Sequence, residues 1–361
     1  MNLEPLRISI ALATWNGERF VLEQLESLAR QTYQPYELVV RDDASADLTT
    51  TIVREFASRA PFRVQMHTNT QRLGFAENFL AAARACTGDA VAFCDQDDVW
   101  REDKLELCVK ELDRSEKTEL VVHQIAKTDE NLTHVWNLVP MKSQSTFIET
   151  LGLHAEISRI PGCAMVARKR VLDILSRLWP KQHFRTAHQL PGENILPHDC
   201  AVLYVANGMG RIYYIAEPLI KHRSHSSNTA STSPLLIERL KQALATGSSE
   251  YKRFAANLHH QKLMYAAMAA NTRDPGISTS LNILVQMVSS VATLNQERAM
   301  LYEATSFQER TTKYSRMIRG GVYRLGGNVV GRNAPIKDAV FVFFHLFFRE
   351  RGAEQQRYRD Q

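Results

Sequence analysis

Between residues 7 and 98 the chain repeats one pattern: a short apolar run, a polar cluster, then a stretch with helical spacing. Arg7–Ala13 reads as a buried strand, and Val21, Leu22, Leu25, Leu28 and Ala29 recur at the spacing of one helix face. Glu37–Arg41 is a second strand, followed by a helix from about Asp47 to Ala57. Arg63–Met66 is a third, followed by a helix over Phe75–Ala85, and Ala90–Cys94 is a fourth, after the turn signal Gly88-Asp89. This alternation predicts an α/β fold with a mostly parallel sheet flanked by helices. In open sheets of that kind ligands bind beyond the carboxyl ends of the strands. Three polar clusters fall there: 14–18, 42–45 and 95–98.

The rest of the chain is less regular. Strands and helices mix from about Leu120 to Ile220, and Cys200–Ala206 reads as a helix opened by His198-Asp199. Ser224–Pro234 has the composition of a loop, and Leu235–Arg310 looks predominantly helical. The expected division is therefore a domain over 1–230 and a mainly helical region over 231–361. Within the latter, Gly320–Pro335 is Gly-rich and basic, and Ala339–Phe348 is a ten-residue apolar block beside Arg349 and Arg351. As a helix that block spans about 15 Å, too short for a hydrocarbon core of about 30 Å. No run reaches the roughly 18–20 apolar residues of a membrane span, and the N-terminus does not read as a signal peptide.

Five scattered cysteines without CxxC spacing argue against a disulfide framework or a zinc site and for a reducing compartment. The expected location is cytoplasmic. The basic, Phe-rich tail suits peripheral contact with the inner face of an anionic membrane, and equally an ordinary packed helix with a solvated basic face. A net charge of +5 fits a phosphate-bearing partner or a generic basic surface. No nucleic-acid motif accompanies it, and no nucleic acid is expected.

Asp95, Asp97 and Asp98 carry the clearest chemistry. Alternate carboxylates at a strand end can hold a hard divalent cation and share it with substrate phosphates. The competing reading is an acidic cap for a helix over Val99–Leu112. Asp42 and Asp43 carry the same two readings, Asn16-Gly17 reads equally as a tight turn, and His198-Asp199 as a helix cap.

Five segments in order decide between these readings: T-W-N-G-E (14–18), Q-L-E-S-L-x-x-Q-T-Y (24–33), E-L-V-V-R-D-D-A-S-A-D-L-T (37–49), N-T-Q-R-L-G-F-A-E-N-F (69–79) and C-D-Q-D-D-V-W (94–100). Together they closely resemble the bacterial family 2 glycosyltransferases, and within them a rhamnosyltransferase-like branch, over roughly residues 7–225. The resemblance implies a GT-A fold, a Rossmann-like α/β domain that binds a nucleotide-diphosphate sugar and is continuous with an acceptor-binding half. It implies Thr14 and Asn16 near the nucleotide, Asp43 on the base, Arg72 and Asn78 lining the donor pocket, and Asp95 on the ribose. It further implies Asp97 on a Mg²⁺ or Mn²⁺ ion, His225 completing that ion's shell, and Asp199 as catalytic base, with Glu193 the nearest alternative carboxylate. Asp98 and Trp100 are expected to shape and pack the turn. The implied reaction is a single displacement with inversion. It would move a sugar, with rhamnose on a thymidine diphosphate carrier as first guess, onto a hydroxyl of a bacterial surface glycan or its lipid-linked precursor. The competing classes are a nucleotidyltransferase, for which no Gly-rich, Lys-bearing phosphate loop is present, and an inactive binding or scaffold protein of the same fold.

Overall fold

The computed structural model describes residues 5–139, 144–148, 160–178, 197–225, 248–273, 275–321, 323, 335, 338, 339 and 342. It divides into two compact units, one holding most of the chain up to Thr229 and the other holding Ala230 onwards.

The first unit begins with four strands and three helices in alternation. They are β1 (Ile8–Thr14), α1 (Val21–Ala29), β2 (Glu37–Asp42), α2 (Thr49–Ala57), β3 (Arg63–Thr68), α3 (Phe75–Ala85) and β4 (Ala90–Cys94). The order β3-β2-β1-β4 is parallel throughout. Ile8, Ile10, Leu12, Leu38, Val40, Val91 and Phe93 have no exposure, because a sheet covered on both faces needs continuous rather than alternating apolar runs. Val21, Leu25 and Leu28 supply the buried stripe of α1, while Leu22 stays on the wet side.

Beyond β4 come β5 (Val99–Trp100), α4 (Lys104–Asp113), β6 (Thr118–Thr128), β7 (Val135–Val139), β8 (Thr146–Ile148), a 3₁₀ turn at Gly162–Ala164, β9 (Met165–Arg168), α5 (Lys169–Leu178), α6 (His198–Met209) and β10 (Arg211–Arg223). The sheet continues from β4 as β9-β6-β10-β5, with β7 on β6 and β8 on β10. β6 and β10 run parallel, and the other pairings of this half are antiparallel. The expected helix over Val99–Leu112 does not start at Val99. Val99 and Trp100 instead pair with Lys221 and Ile220, and the helix begins at Lys104. Asp98 therefore caps no helix.

The second unit contains α7 (Ser248–Asn271), α8 (Pro275–Glu303) and α9 (Phe307–Arg319). Leu281, Leu284, Val288, Val291 and Leu294 recur every three or four residues on α8 and are buried, as are Tyr251, Met264, Tyr265 and Met268 on α7. α8 contains no unbroken apolar run of roughly 18–20 residues, yet by length and average composition it is apolar enough to cross a bilayer. Its best 18-residue window has a mean hydropathy of 1.4. Ser, Thr and Asn interrupt every contiguous apolar run there, yet the average stays high. A core helix passes the same test, so length and composition alone assign α8 no membrane role.

Of the block at 339–348, only Ala339 and Val342 are among the described residues, and Val342 is buried with Leu294, Leu301 and Met317. Nearby Asp338 has no exposure and receives both nitrogens of an Arg298 fork at 2.8 Å, plus the hydroxyls of Tyr302 and Tyr323. A buried ion pair of this kind is tolerable only with its remaining lone pairs satisfied.

In the first unit one buried carboxylate joins the amino ends of three strands. Glu37 accepts from Ser9 Oγ (2.8 Å), Thr87 N–H (2.6 Å), Thr87 Oγ1 (2.8 Å) and Gln65 Nε2 (2.6 Å). Arg63 approaches to 4.0 Å from the exposed side. Burial pushes the Glu37 carboxyl up, and the hydrogen bonds from Thr87, Ser9 and Gln65 together outweigh it, holding the group below the usual range. A depressed folded value adds stability above the unfolded value, lost as pH falls through the folded one. Glu37→Gln is therefore expected to lower stability at neutral pH and to flatten the acid limb of a stability–pH profile measured by urea unfolding. An unchanged slope below pH 5 would show that Glu37 is not among the groups driving acid unfolding.

Candidate active site at the carboxyl edge of the sheet

The parallel register sets Thr14 beside Asp42 and Leu12 beside Cys94, so the loops after β1, β2 and β4 leave the sheet along one edge. Their side chains tie them together. Thr14 Oγ1 donates to Asp42 Oδ1 at 2.8 Å, and Asn16 N–H to Ser45 Oγ at 2.9 Å. Ala46 N–H donates to Asn16 Oδ1 at 2.9 Å. Gln96 brackets the Trp15 backbone, accepting from its N–H and donating to its carbonyl. Asn16 and Ala44 hold positive φ values of 46° and 59°, the tightness these crossings require.

Several expected donor-site residues have structural partners. Asp43 is buried and accepts from Asn69 Nδ2 (2.8 Å) and from the N–H groups of Leu73 (2.7 Å) and Gly74 (3.0 Å). Asn78 is buried too, its amide donating to the Arg41 carbonyl and accepting from Asn69. Both residues hold the segment 69–74 in place. What that segment presents is Arg72, whose guanidinium lies 3.6 Å from the centroid of the Trp15 ring. Trp15 is 42% exposed. It was absent from the expected site residues, although an aromatic between polar neighbours in a strand-end loop, where packing does not demand one, is itself a signal.

The third loop carries Asp95, Asp97 and Asp98. Asp97 Oδ2 lies 2.8 Å from His225 Nε2, across 128 positions of sequence. Burial, then the charges of Asp98 and Asp97, push the Asp95 carboxyl well above its ordinary range, eased by His222. Burial and Asp97 do the same to Asp98. Such crowding is costly unless a cation is shared, and an oxygen-rich set with one imidazole suits a hard divalent ion. The residues therefore fit a Mg²⁺ or Mn²⁺ ion.

Arg223, buried near the end of β10, holds this loop. Its Nε donates to the Asp97 carbonyl at 2.8 Å and its N–H to Asp98 Oδ1 at 3.2 Å. The guanidinium also donates to the Glu130 carbonyl and to Glu23, and sits over the Phe20 ring. No local pattern marked it in the sequence.

Asp199 is half-buried in the first turn of α6, where the Cys200 N–H donates to its Oδ1 at 2.7 Å. Its neighbour His198 is buried against Phe79, with ring centroids 4.1 Å apart, and against Phe93 and Phe75. Burial pushes the His198 ring down to about 4, so it is neutral. Glu193 lies outside the described residues.

Residues 9–175 match the family described as glycosyl transferase family 2. Among curated relatives, a UDP-Glc:alpha-D-GlcNAc-diphosphoundecaprenol beta-1,3-glucosyltransferase of Escherichia coli is 35% identical over 105 residues, 29% of this chain and 40% of that protein. A dTDP-rhamnosyl transferase of Shigella flexneri is 25% identical over 223 residues, 60% of this chain and 72% of that protein. The first curated relatives, uncharacterized mycobacterial proteins, are matched over only 35% of their own length. The crystal structure of Staphylococcus aureus TarS 1–349 aligns with a TM-score of 0.55 at 14% identity, covering 93% of this chain and 91% of that one. The shared fold is GT-A.

The turn at Gly162–Ala164 brings α6 to this edge by close contact. A Cβ at Gly162 would sit 2.4 Å from His198 Nε2. The ring is wedged among three phenylalanines and has little room to retreat. Gly162→Ala is expected to cost about 1–3 kcal/mol of stability through overpacking. In the Gly162→Ala/His198→Ala double variant that increment should disappear, a coupling readable by urea unfolding. Additive effects would show that the two positions do not press on each other.

Proposed function

We propose that the protein is an inverting glycosyltransferase that moves a sugar from a nucleotide-diphosphate donor to a hydroxyl of a bacterial surface glycan or its lipid-linked precursor. The observation that carries this reading is the pairing of Asp97 with His225 beside Asp95 and Asp98, at the sheet edge where the family 2 domain ends its strands. Asp97 and His225 would hold Mg²⁺ or Mn²⁺, and Asp95 would meet the ribose. The ion, when bound, supplies positive charge opposite the departing diphosphate. Trp15, stacked on Arg72 and exposed, offers a π-face for the base, while Thr14 and Asn16 shape the loop beneath it. Asp43 and Asn78 then act as positioning residues, holding the segment that presents Arg72.

Asp199 would take the proton of the acceptor hydroxyl as that oxygen attacks the anomeric carbon. The neutral, tightly packed His198 next to it fixes the start of α6 without competing for that proton. The names of the relatives support the choice of substrates. One uses a thymidine-diphosphate rhamnose, another acts on a diphosphoundecaprenol-linked sugar, and TarS has been solved with UDP-GlcNAc. Rhamnose is the first donor to try, and contact with an anionic membrane would bring a lipid-linked acceptor within reach.

Two substitutions test the assignment, using transfer or donor hydrolysis with a panel of nucleotide sugars. Asp97→Asn, nearly isosteric, should keep the melting profile but lose most turnover and the cation dependence of donor binding. Near-parental turnover with donor and Mn²⁺ would remove Asp97 from the site. Asp199→Asn should lower kcat by roughly 10²-fold or more with donor affinity little changed. An unaltered kcat would place the base elsewhere, with Glu193 next in line.

A further inference from the structure

We propose that Asp98, Cys163 and His222 form a second cation site, suited to a borderline ion such as Zn²⁺ and separate from the Asp97–His225 pair. Such a site would exist whether or not the protein transfers sugars. One ligand atom from each residue, a carboxylate oxygen, the thiol sulfur and a ring nitrogen, lies within 4.8 Å of the others. The three come from different places in the chain: the loop after β4, the 3₁₀ turn before β9, and the end of β10. That dispersal is why cysteine spacing gave no hint of a metal.

Two polar atoms of this group point to a missing partner. Asp98 is 1% exposed, and its Oδ2 is buried without a hydrogen bond, while Oδ1 is taken by the Arg223 N–H. His222 Nδ1 is likewise buried and unpaired. Leaving such atoms unsatisfied costs their full desolvation, more for a charged group. A dication between them would satisfy both at once.

The donor set selects the ion. Thiolate and imidazole favour Zn²⁺, whereas Mg²⁺ and Mn²⁺ prefer oxygen. One carboxylate and one thiolate balance a double positive charge. Zinc–ligand bonds of about 2.0–2.3 Å would require the three atoms to draw together by about 1 Å. Burial, then the charges of Asp95 and Asp98, push the Cys163 thiol well up, against the opposing Lys104 ammonium that donates to the Cys163 carbonyl at 2.8 Å, so a dication binding here must displace the thiol proton. An ion here would pin the Asp95–Asp98 loop to β10 and to the turn that touches His198.

Cobalt substitution tests the site in the full-length protein. After chelator treatment, one equivalent of Co²⁺ should produce a near-ultraviolet sulfur-to-cobalt charge-transfer band, bleached by one equivalent of Zn²⁺. The band should persist in Asp97→Asn, because no thiol belongs to that pair, and vanish in Cys163→Ser. Zn²⁺ should also raise the Tm of the parent and not of Cys163→Ser. Should Cys163→Ser fail to fold, Asp98→Asn and His222→Gln decide in its place, each expected to weaken Co²⁺ binding at least tenfold. No band in the parent, a band that survives Cys163→Ser, or parental Co²⁺ affinity in both other variants would overturn the proposal.

Discussion

The geometry of the candidate site rests on three strands running the same way. Because β2, β1 and β4 are parallel neighbours, their carboxyl ends share one edge, and the loops leaving those strands are forced against one another. The chain uses that edge for polar loops that brace one another through Thr14, Asn16, Asp42 and Ser45. The long strand β10 closes the arrangement from the far side. The Arg223 guanidinium donates to the carbonyls of Asp97 and Glu130 and to the Glu23 carboxylate, while the Arg223 backbone N–H donates to Asp98. With the pairing of Val99 and Trp100 to Lys221 and Ile220 and the contact of Asp97 with His225, these bonds fix the carboxylate loop to the second half of the sheet.

The electrostatics of the edge are unbalanced. Asp95 and Asp98 are driven toward their neutral forms by burial and by neighbouring carboxylates, Asp98 and Asp97 for the first and Asp97 for the second, a condition that structural carboxylates such as Glu37 avoid by collecting hydrogen bonds. One carboxylate is held charged by donors, the others are held short of them. The difference separates a group that stabilises the fold through its charge from groups whose charge the fold disfavours.

How much of this could be read from residues alone depends on the range of the contact. The α/β architecture and the shared edge were legible because strand and helix periods are local, and the parallel arrangement comes from their alternation. The family motifs named Arg72, Asp97 and His225 but said nothing of how they are held. Arg223, the Gly162–His198 contact and the Asp98–Cys163–His222 group were invisible, since each joins positions far apart with no periodic trace. The competing cap reading of the Asp95–Asp98 cluster rested on Val99–Leu112 being apolar enough for a helix, yet pairing with β10 claims its first two residues for the sheet. The same limit applied to α8, whose stripe of buried leucines and valines is spread among serines and threonines.

The ion pair between Arg298 and Asp338 has a consequence for how this chain can vary. Asp338, with no exposure, and Val342, buried near it in sequence, are internal components of the helical unit. The two paired residues are 40 apart, and neither tolerates loss of the other, since a lone charge would remain in an apolar interior. Natural drift at one is therefore conditional on the other, and a recombination breakpoint falling between them would be penalised. The segment from α8 to Asp338 should travel through evolution as one cassette, whatever changes in the sheet-bearing unit.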